Sequence, residues 1–302
     1  MTDQQYTIVG IGELLWDFLP AGKQLGGAPS NFSYITNLLG DTGIPASRIG
    51  NDALGDEVLQ RLSQLGVTTE YLQCDSIHPT GTVKVEVDDA GQPEFDILYP
   101  VAWDFFQWTP AWRQLAAQAD AICFGSLAQR SLESRSTTGN FLRVTRPDAV
   151  RVFDVNLRQS FYSKEIIEES LKRATIVKLN HDELPTVMRL LGWEHRNEKE
   201  SARRLLSFAD IKLIGVTRGA NGSLLLASDH CSEHSGFKVK VADTVGAGDA
   251  FTATLLHGYL RATPLDEINE NANRVGAWVA SQSGATPSVQ EGGLQAILAR
   301  IA

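Results

Sequence analysis

Five short runs rich in valine and isoleucine, "YTIVGIG", "DAICFGS", "AVRVFDVN", "ATIVKLN" and "IKLIGVTRG", are separated by longer segments of helical period. Runs that are apolar at nearly every position read as buried strands. Strands of that kind alternating with helices predict a mostly parallel sheet flanked by helices, an α/β fold. "NFSYITNLLG", "DEVLQRLSQLG" and "DELPTVMRLLG" are the helical candidates. The first two close on glycines suited to helix ends, and the third carries Pro185 in its first turn, where proline is tolerated.

One segment departs from this pattern. In "GTVKVEVDDAGQPEFDILY", Val83, Val85 and Val87 alternate with Thr82, Lys84 and Glu86, the chain turns near Asp89 to Gly91, and alternation resumes through Phe95, Ile97 and Tyr99. The spacing predicts a two-stranded flap outside the parallel sheet. A hairpin is marginal alone, so one face must cover the body, a ligand or a second subunit, the last making a homodimer through the flap.

Polar groups gather where the predicted strands finish: Asp154 and Asn156 on one, Asn180 on another, Thr217 and Gly219 on a third. Each alone is as readily a loop residue or a helix cap. Their recurrence points to a ligand site outside the carboxyl ends of the strands, where open α/β sheets bind.

Composition narrows the partners. The 302 residues, 43% of them hydrophobic, suffice for a large core. A formal net charge of -9 with no basic cluster excludes nucleic acid as the main partner. No run reaches transmembrane length and "MTDQQYTIVGIGELL" has no signal-peptide pattern, so a soluble cytoplasmic protein is expected, with no membrane partner. Cys74, Cys123 and Cys231 are too scattered for a disulfide framework or a C-x-x-C metal site and are expected reduced and mostly in the core.

The stretch "DTVGAGDAF" carries the chemistry. "FKVKV" before it reads as a strand, "GAG" as a tight turn, and "DAFTATLLHGYL" as a buried helix. Backbone N–H groups at that helix start would form an anion cradle, reinforced by the helix dipole, so a net-negative protein could bind phosphate without a basic patch. Asp249 is then either the helix N-cap or a carboxylate placed to accept a proton during phosphoryl transfer. Other motifs fail: Leu15 stands where a third dinucleotide-binding glycine would follow Gly10 and Gly12, no P-loop occurs, and the histidines lack metal-site spacing. Trp103, Trp108 and Trp112 crowd one segment, where packing competes with a ring lining a ligand pocket.

"DTVGAGDAF" together with "LGGAPSNFSYITNLLG" resembles the two signatures of the ribokinase-like (PfkB) carbohydrate kinases, and the similarity runs in order along nearly the whole chain. "GELLWDFLP", "GNDALGD", "PVAWD", "FDVNLR" and "KLNHDE" further resemble bacterial and plant fructokinases, a pattern shared in large part with ketodeoxygluconate and riboside kinases. The resemblance implies one Rossmann-like α/β domain over residues 1–302, with a β lid from about 13–22 and 80–102.

By position, Asp249 matches the family's catalytic base, and Gly246, Ala247 and Gly248 its anion hole. Asp17, Gly26, Gly27 and Asn31 match positions that hold sugar hydroxyls, with Trp16 and Phe18 on the lid strand and Trp103 a further candidate wall. Asn180 and Glu183 match the element that organises metal water and phosphates, while Thr217, Gly219, Gly222 and Asn273 match nucleotide-side positions. Asp243, Val245, Gly284 and Ser288 match a loop pair that binds a monovalent cation such as K⁺ in many members, although "GAGD" here replaces the more familiar "AAGD".

The implied reaction is transfer of the ATP γ-phosphoryl group, with Mg²⁺, to a primary hydroxyl of a small sugar, D-fructose foremost. A carboxylate-bearing substrate such as 2-keto-3-deoxygluconate would want a cation, for which Arg158 is the candidate. A non-catalytic sugar or nucleotide sensor would keep the fold and need no base.

Overall fold

The computed structural model describes residues 4–19, 22–87 and 93–289. Its strands are β1 (Thr7–Ile11), β2 (Leu15–Leu19), β3 (Gly22–Gly26), β4 (Thr42–Gly50), β5 (Leu72–Asp75), β6 (Gly81–Val87), β7 (Pro93–Ile97), β8 (Ala121–Gly125), β9 (Val150–Asp154), β10 (Ile176–Asn180), β11 (Leu213–Thr217), β12 (Ser223–Ala227) and β13 (Cys231–His234). The helices are α1 (Ala28–Leu38), α2 (Ala53–Gln64), α3 (Pro110–Gln118), α4 (Leu132–Val144), α5 (Lys164–Arg173), α6 (Glu183–Leu190), α7 (Glu198–Leu206), α8 (Ala247–Leu260) and α9 (Leu265–Ala280).

Nine strands form one sheet in the order β13-β12-β11-β10-β9-β8-β1-β4-β5. It is parallel from β11 through β5, and at one edge β12 runs against the rest, pairing antiparallel with both β11 and β13. The period of two along each strand explains its uninterrupted apolar sequence. Val9, Ile11, Ile122, Phe124, Val177 and Ile214 pack on one face with Leu115, Phe141, Leu171, Val187 and Leu205 of α3 to α7. Their neighbours Ile8, Ala121, Cys123, Ile176 and Leu213 pack on the other with α1, α2, α8 and α9. Neither face is wet, so neither position can be polar without a partner.

The helices start where the sequence offers a cap. Asp52, Thr109, Ser131, Ser163 and Asn197 each accept a hydrogen bond from a first-turn N–H of α2, α3, α4, α5 and α7 respectively.

A second sheet of four strands, β3-β2-β6-β7, contains the predicted flap. β2 and β6 are parallel at its centre, with β3 and β7 antiparallel outside them. The turn expected near Asp89 to Gly91 lies outside the described residues. Trp16 and Phe18 share one face of β2, where the buried Trp16 donates its indole N–H to the Leu54 carbonyl at 3.0 Å and Phe18, one step nearer the strand end, is exposed.

Three sequence expectations change here. "FKVKV" forms no strand: residues 237–241 run outside any ladder, and Lys238, Lys240 and Val241 are exposed. The antiparallel edge is β12 and β13, in which four consecutive buried residues of β12 mask the alternation that marks a hairpin. Cys123 is buried, Cys231 is half-buried and Cys74 is exposed, so only one thiol lies in the core. Among the described residues no helix is long and apolar enough to cross a membrane.

Candidate active site

Strand order reverses at β1, which lies between β8 and β4, and the crevice at such a reversal is where α/β sheets place a ligand. A cleft of about 320 Å³ opens there. Its wall includes Glu13 just beyond β1, Gly125 at the end of β8, Asp154 and Asn156 at the end of β9, and Asp249 of α8.

Asp249 stands in the first turn of α8, but it is not the cap. The N-cap is Gly246, in the left-handed conformation at φ 77°, and no side chain caps the helix. The Asp249 carboxylate instead accepts a hydrogen bond from Asn31 Nδ2 of α1 at 2.8 Å. A Cβ at Gly246 would run into Ala285, so both its conformation and its surroundings call for glycine. Gly246, Ala247 and Gly248 form the start of this buried helix, next to Asp249 in the cleft wall, with the Ala247 N–H donating to the Thr244 carbonyl at 3.3 Å. Burial, with the Asp154 carboxylate adding to it, pushes Asp249 up to about 6 against the pull of the Asn31 bond, Lys178 and Arg158. A carboxylate with that affinity is ionised at neutral pH and basic enough to take a proton.

Asp17 lies half-buried on β2 with its carboxylate against the Cα of Gly26 on the paired strand, where a side chain would displace it. Burial pushes Asp17 up to about 6, and Arg158 draws it back. Gly27, at φ 109°, is the N-cap of α1 and packs on the Glu13 carbonyl. Asn31 is buried, and its Oδ1 has no hydrogen-bond partner, so a hydroxyl donor from a ligand would satisfy it.

The remaining candidates divide. Asn180 Oδ1 accepts from the N–H groups of Asp182 and Glu183, while Glu183 accepts from Asn180 N and Leu157 N, each within 2.9 Å. This closed box fixes the ends of β9 and β10. Thr217 ends β11, and Gly219 and Gly222, at φ 58° and 82°, turn the chain into β12. Asp243 accepts from Val245 N and Gly284 N at 3.0 and 3.3 Å, joining the two loops assigned to a monovalent cation, with Ser288 exposed beyond them. Arg158 is exposed and donates to the Leu157 carbonyl.

Of the predicted site residues only Asp249 is in the cleft wall itself, and two others turn into the interior. Trp103 is fully buried in the core with the Arg130 guanidinium 3.9 Å over its ring, so it packs and does not line the pocket. Asn273 is buried in α9, its amide donating to Ser223 Oγ, Asn269 O and Asn269 Oδ1. Those bonds commit it to the interior.

Two charged residues that motif reasoning passed over stand in the site. Glu13 is buried in the cleft wall, and burial pushes it up to about 7. Lys178 is buried within β10 and pairs with Asp154 at 3.1 Å. Each was legible as a charge inside or directly after an apolar strand run.

A parallel sheet covered on both faces, a buried helix start beneath the strand ends and a small second sheet beside them define an α/β carbohydrate kinase. The chain belongs to the pfkB family of carbohydrate kinases, whose sequence pattern matches residues 21–291. It is similar to the putative sugar kinase PH1459 of Pyrococcus horikoshii, at 29% identity over 94% of each chain. A fructokinase of Escherichia coli is 29% identical over 96% of this chain and 95% of its own length. Among solved structures, the fructokinase of Vibrio cholerae O395, in its fructose, ADP and calcium ion bound form, superposes with a TM-score of 0.82 at 26% identity, covering 99% of both chains. PH1459 in complex with ATP gives a TM-score of 0.79 at 29% identity, over 92% of this chain and 94% of that one.

Proposed function

We propose that this sugar kinase transfers the γ-phosphoryl group of ATP to a primary hydroxyl of a neutral sugar, D-fructose, with Asp249 as the general base. The observation that carries the reading is the position of Asp249, at an uncapped helix start over a left-handed glycine and held by Asn31 from the other family signature. The hydroxyl proton passes to the Asp249 carboxylate as the sugar oxygen bonds to phosphorus, and the bridging oxygen leaves with ADP. The first-turn N–H groups of Gly246 to Gly248 offset charge on the transferring group. A sensor without turnover would need no such carboxylate.

Fructose is preferred over a sugar acid because the cleft is rich in carboxyl groups. Glu13, Asp154 and Asp249 line it and Asp17 lies near, against Lys178 and the exposed Arg158. A polyol offers donors to such acceptors, whereas an anion would be repelled. Fructose and ADP in the Vibrio cholerae structure support the same substrates. No group of three or more His, Cys, Asp or Glu among the described residues could hold a metal ion. Mg²⁺ therefore fits here as a companion of the nucleotide phosphates, carried with water, and Asn180 and Glu183 are the residues proposed to order that water. Asp243, bridging its two loops, is the carboxylate around which a K⁺ site would form.

An ADP-release assay over fructose, ribose, 2-keto-3-deoxygluconate and ribosides tests the proposal. Fructose is expected to show the highest kcat/KM. Preference for the sugar acid would overturn the fructose assignment, and absence of turnover with every substrate would overturn the kinase reading.

A further inference from the structure

A lysine in the middle of a central parallel strand requires a reason, because burying an ammonium is costly unless it is paired. Lys178 is the third residue of β10 and is 7% exposed. Its Nζ reaches both oxygens of Asp154 on the adjacent strand, at 3.1 and 3.3 Å. Asp154 also accepts from Thr252 Oγ1 at 2.8 Å, and Thr252 lies one turn beyond Gly248 on α8. The pair therefore fastens the sheet to the helix that carries the anion cradle.

The ammonium lies directly beneath that cradle. A Cβ placed on Gly248 would stand 3.0 Å from Lys178 Nζ, the one group outside its own helix that it would meet. An ammonium has three N–H donors, and Asp154 occupies two. Burial opposes the charge, but the carboxylates of Asp154, Glu183 and Asp249 outweigh burial and hold Lys178 above the usual lysine value. A pair kept only for stability has no need of this position, since buried ion pairs add little net stability.

We propose that Lys178, held by Asp154 beneath the Gly246–Gly248 turn, is a positioning and charge-offsetting residue of phosphoryl transfer, opposing the charge gathered on the transferring group and keeping Asp249 ionised. The inference rests on the reading of Asp249 as the base. It also bears on Gly248, where a side chain would press on the ammonium. The groups acting on Asp249 are Asn31 from α1, Glu13 after β1, Cys123 from β8, Asp154 from β9, Arg158 after β9 and Lys178 from β10. Lys178 is the buried cation among them.

The test compares Lys178→Met and Lys178→Met/Asp154→Asn with the parent enzyme by thermal melting, kcat, both KM values and the pH profile of kcat. The single variant strands the Asp154 charge; the double removes both charges and keeps side-chain volume, so it is the variant expected to fold. In the folded double variant, kcat should fall about 10²-fold while the ATP KM stays within about threefold. In the single variant the acid limb should also move up by about one pH unit, because a nearby positive charge favours the carboxylate. A folded double variant with kcat within about threefold of the parent, or a loss residing wholly in KM, would reduce the pair to a structural clip. Asp249→Asn separates the two levels. If it keeps its turnover, the base assignment falls and this inference with it; if it is slow while the double variant is not, only the role of Lys178 falls.

Discussion

Asn31 Nδ2 donates to Asp249 Oδ2 at 2.8 Å, a bond that spans 218 residues of sequence. It joins the two stretches that most resemble a kinase, α1 after the lid and α8 after the cradle, and it favours the ionised carboxylate. Asn31→Ala should therefore raise the Asp249 pKa and shift the acid limb of kcat upward by about half to one unit. The sugar KM should rise as well, since the unpartnered Asn31 Oδ1 is lost with it. An unmoved limb at saturating substrate would show that the bond does not tune the base.

Asp249→Asn should bind ATP normally and lower kcat roughly 10²–10⁴-fold, the range for loss of a general base. The same substitution should stabilise the fold. Asp249 sits at about 6 in the folded chain against an ordinary 3.8. The folded state therefore holds the proton more tightly than the unfolded state, and stability present below about pH 4 is lost as pH rises through 6. Asparagine has no charge to bury, so at pH 7.5 the variant should be more stable by about 3 kcal/mol, and near pH 3.5 the difference should vanish. Urea unfolding at both pH values measures this. A variant destabilised at pH 7.5 would mean that the carboxylate is structurally required.

The central sheet was legible because its strands are apolar on both faces, and a continuous Val and Ile run bounded by helices has few other uses. The edge was not. "SLLLA" of β12 lacks alternation because it too is covered on both sides, whereas "FKVKV" alternates in sequence yet pairs with no strand, and its Lys238, Lys240 and Val241 are exposed. The glycine turn into α8 and Asp249 in its first turn were legible as a local pattern, and whether the carboxylate capped the helix depended on Asn31 far away in sequence. Trp103 and Asn273 show the converse limit. A motif position does not say which way a side chain turns, and here core packing and the Ser223 and Asn269 bonds turn both inward. Lys178 belongs to a third kind, a charge hidden in an apolar run whose purpose depends on the next strand.

The two cradle glycines should fail in different ways. Gly246 has φ 77°, where a side chain costs about 1–2 kcal/mol before the collision with Ala285 is counted. Gly246→Ala should lower stability and turnover together. Gly248 lies within α8 and meets only the Lys178 ammonium, so Gly248→Ala should keep or gain stability, by up to about 1 kcal/mol from helix propensity, while turnover falls. Thermal melts paired with kcat distinguish them. Equal destabilisation by both alanines would remove the steric account of Gly248.

Asp17 is the proposed sugar contact. Its half-buried carboxylate rests against Gly26 on the small sheet and can accept from two hydroxyls at once. Deleting it leaves those hydroxyls unpaired, at about 1–3 kcal/mol per bond, so Asp17→Ala should raise the sugar KM at least about tenfold and leave the ATP KM nearly unchanged. The pH dependence carries a second signature. Burial sets Asp17 at about 6, so below that pH the carboxyl is protonated and loses acceptor capacity. The sugar KM of the parent enzyme should accordingly fall as pH rises through 6, and in Asp17→Ala it should be flat there, while kcat keeps the limb that belongs to Asp249. A parallel rise in both KM values would mean that the substitution disturbs the lid, and an unchanged sugar KM would take Asp17 out of the site.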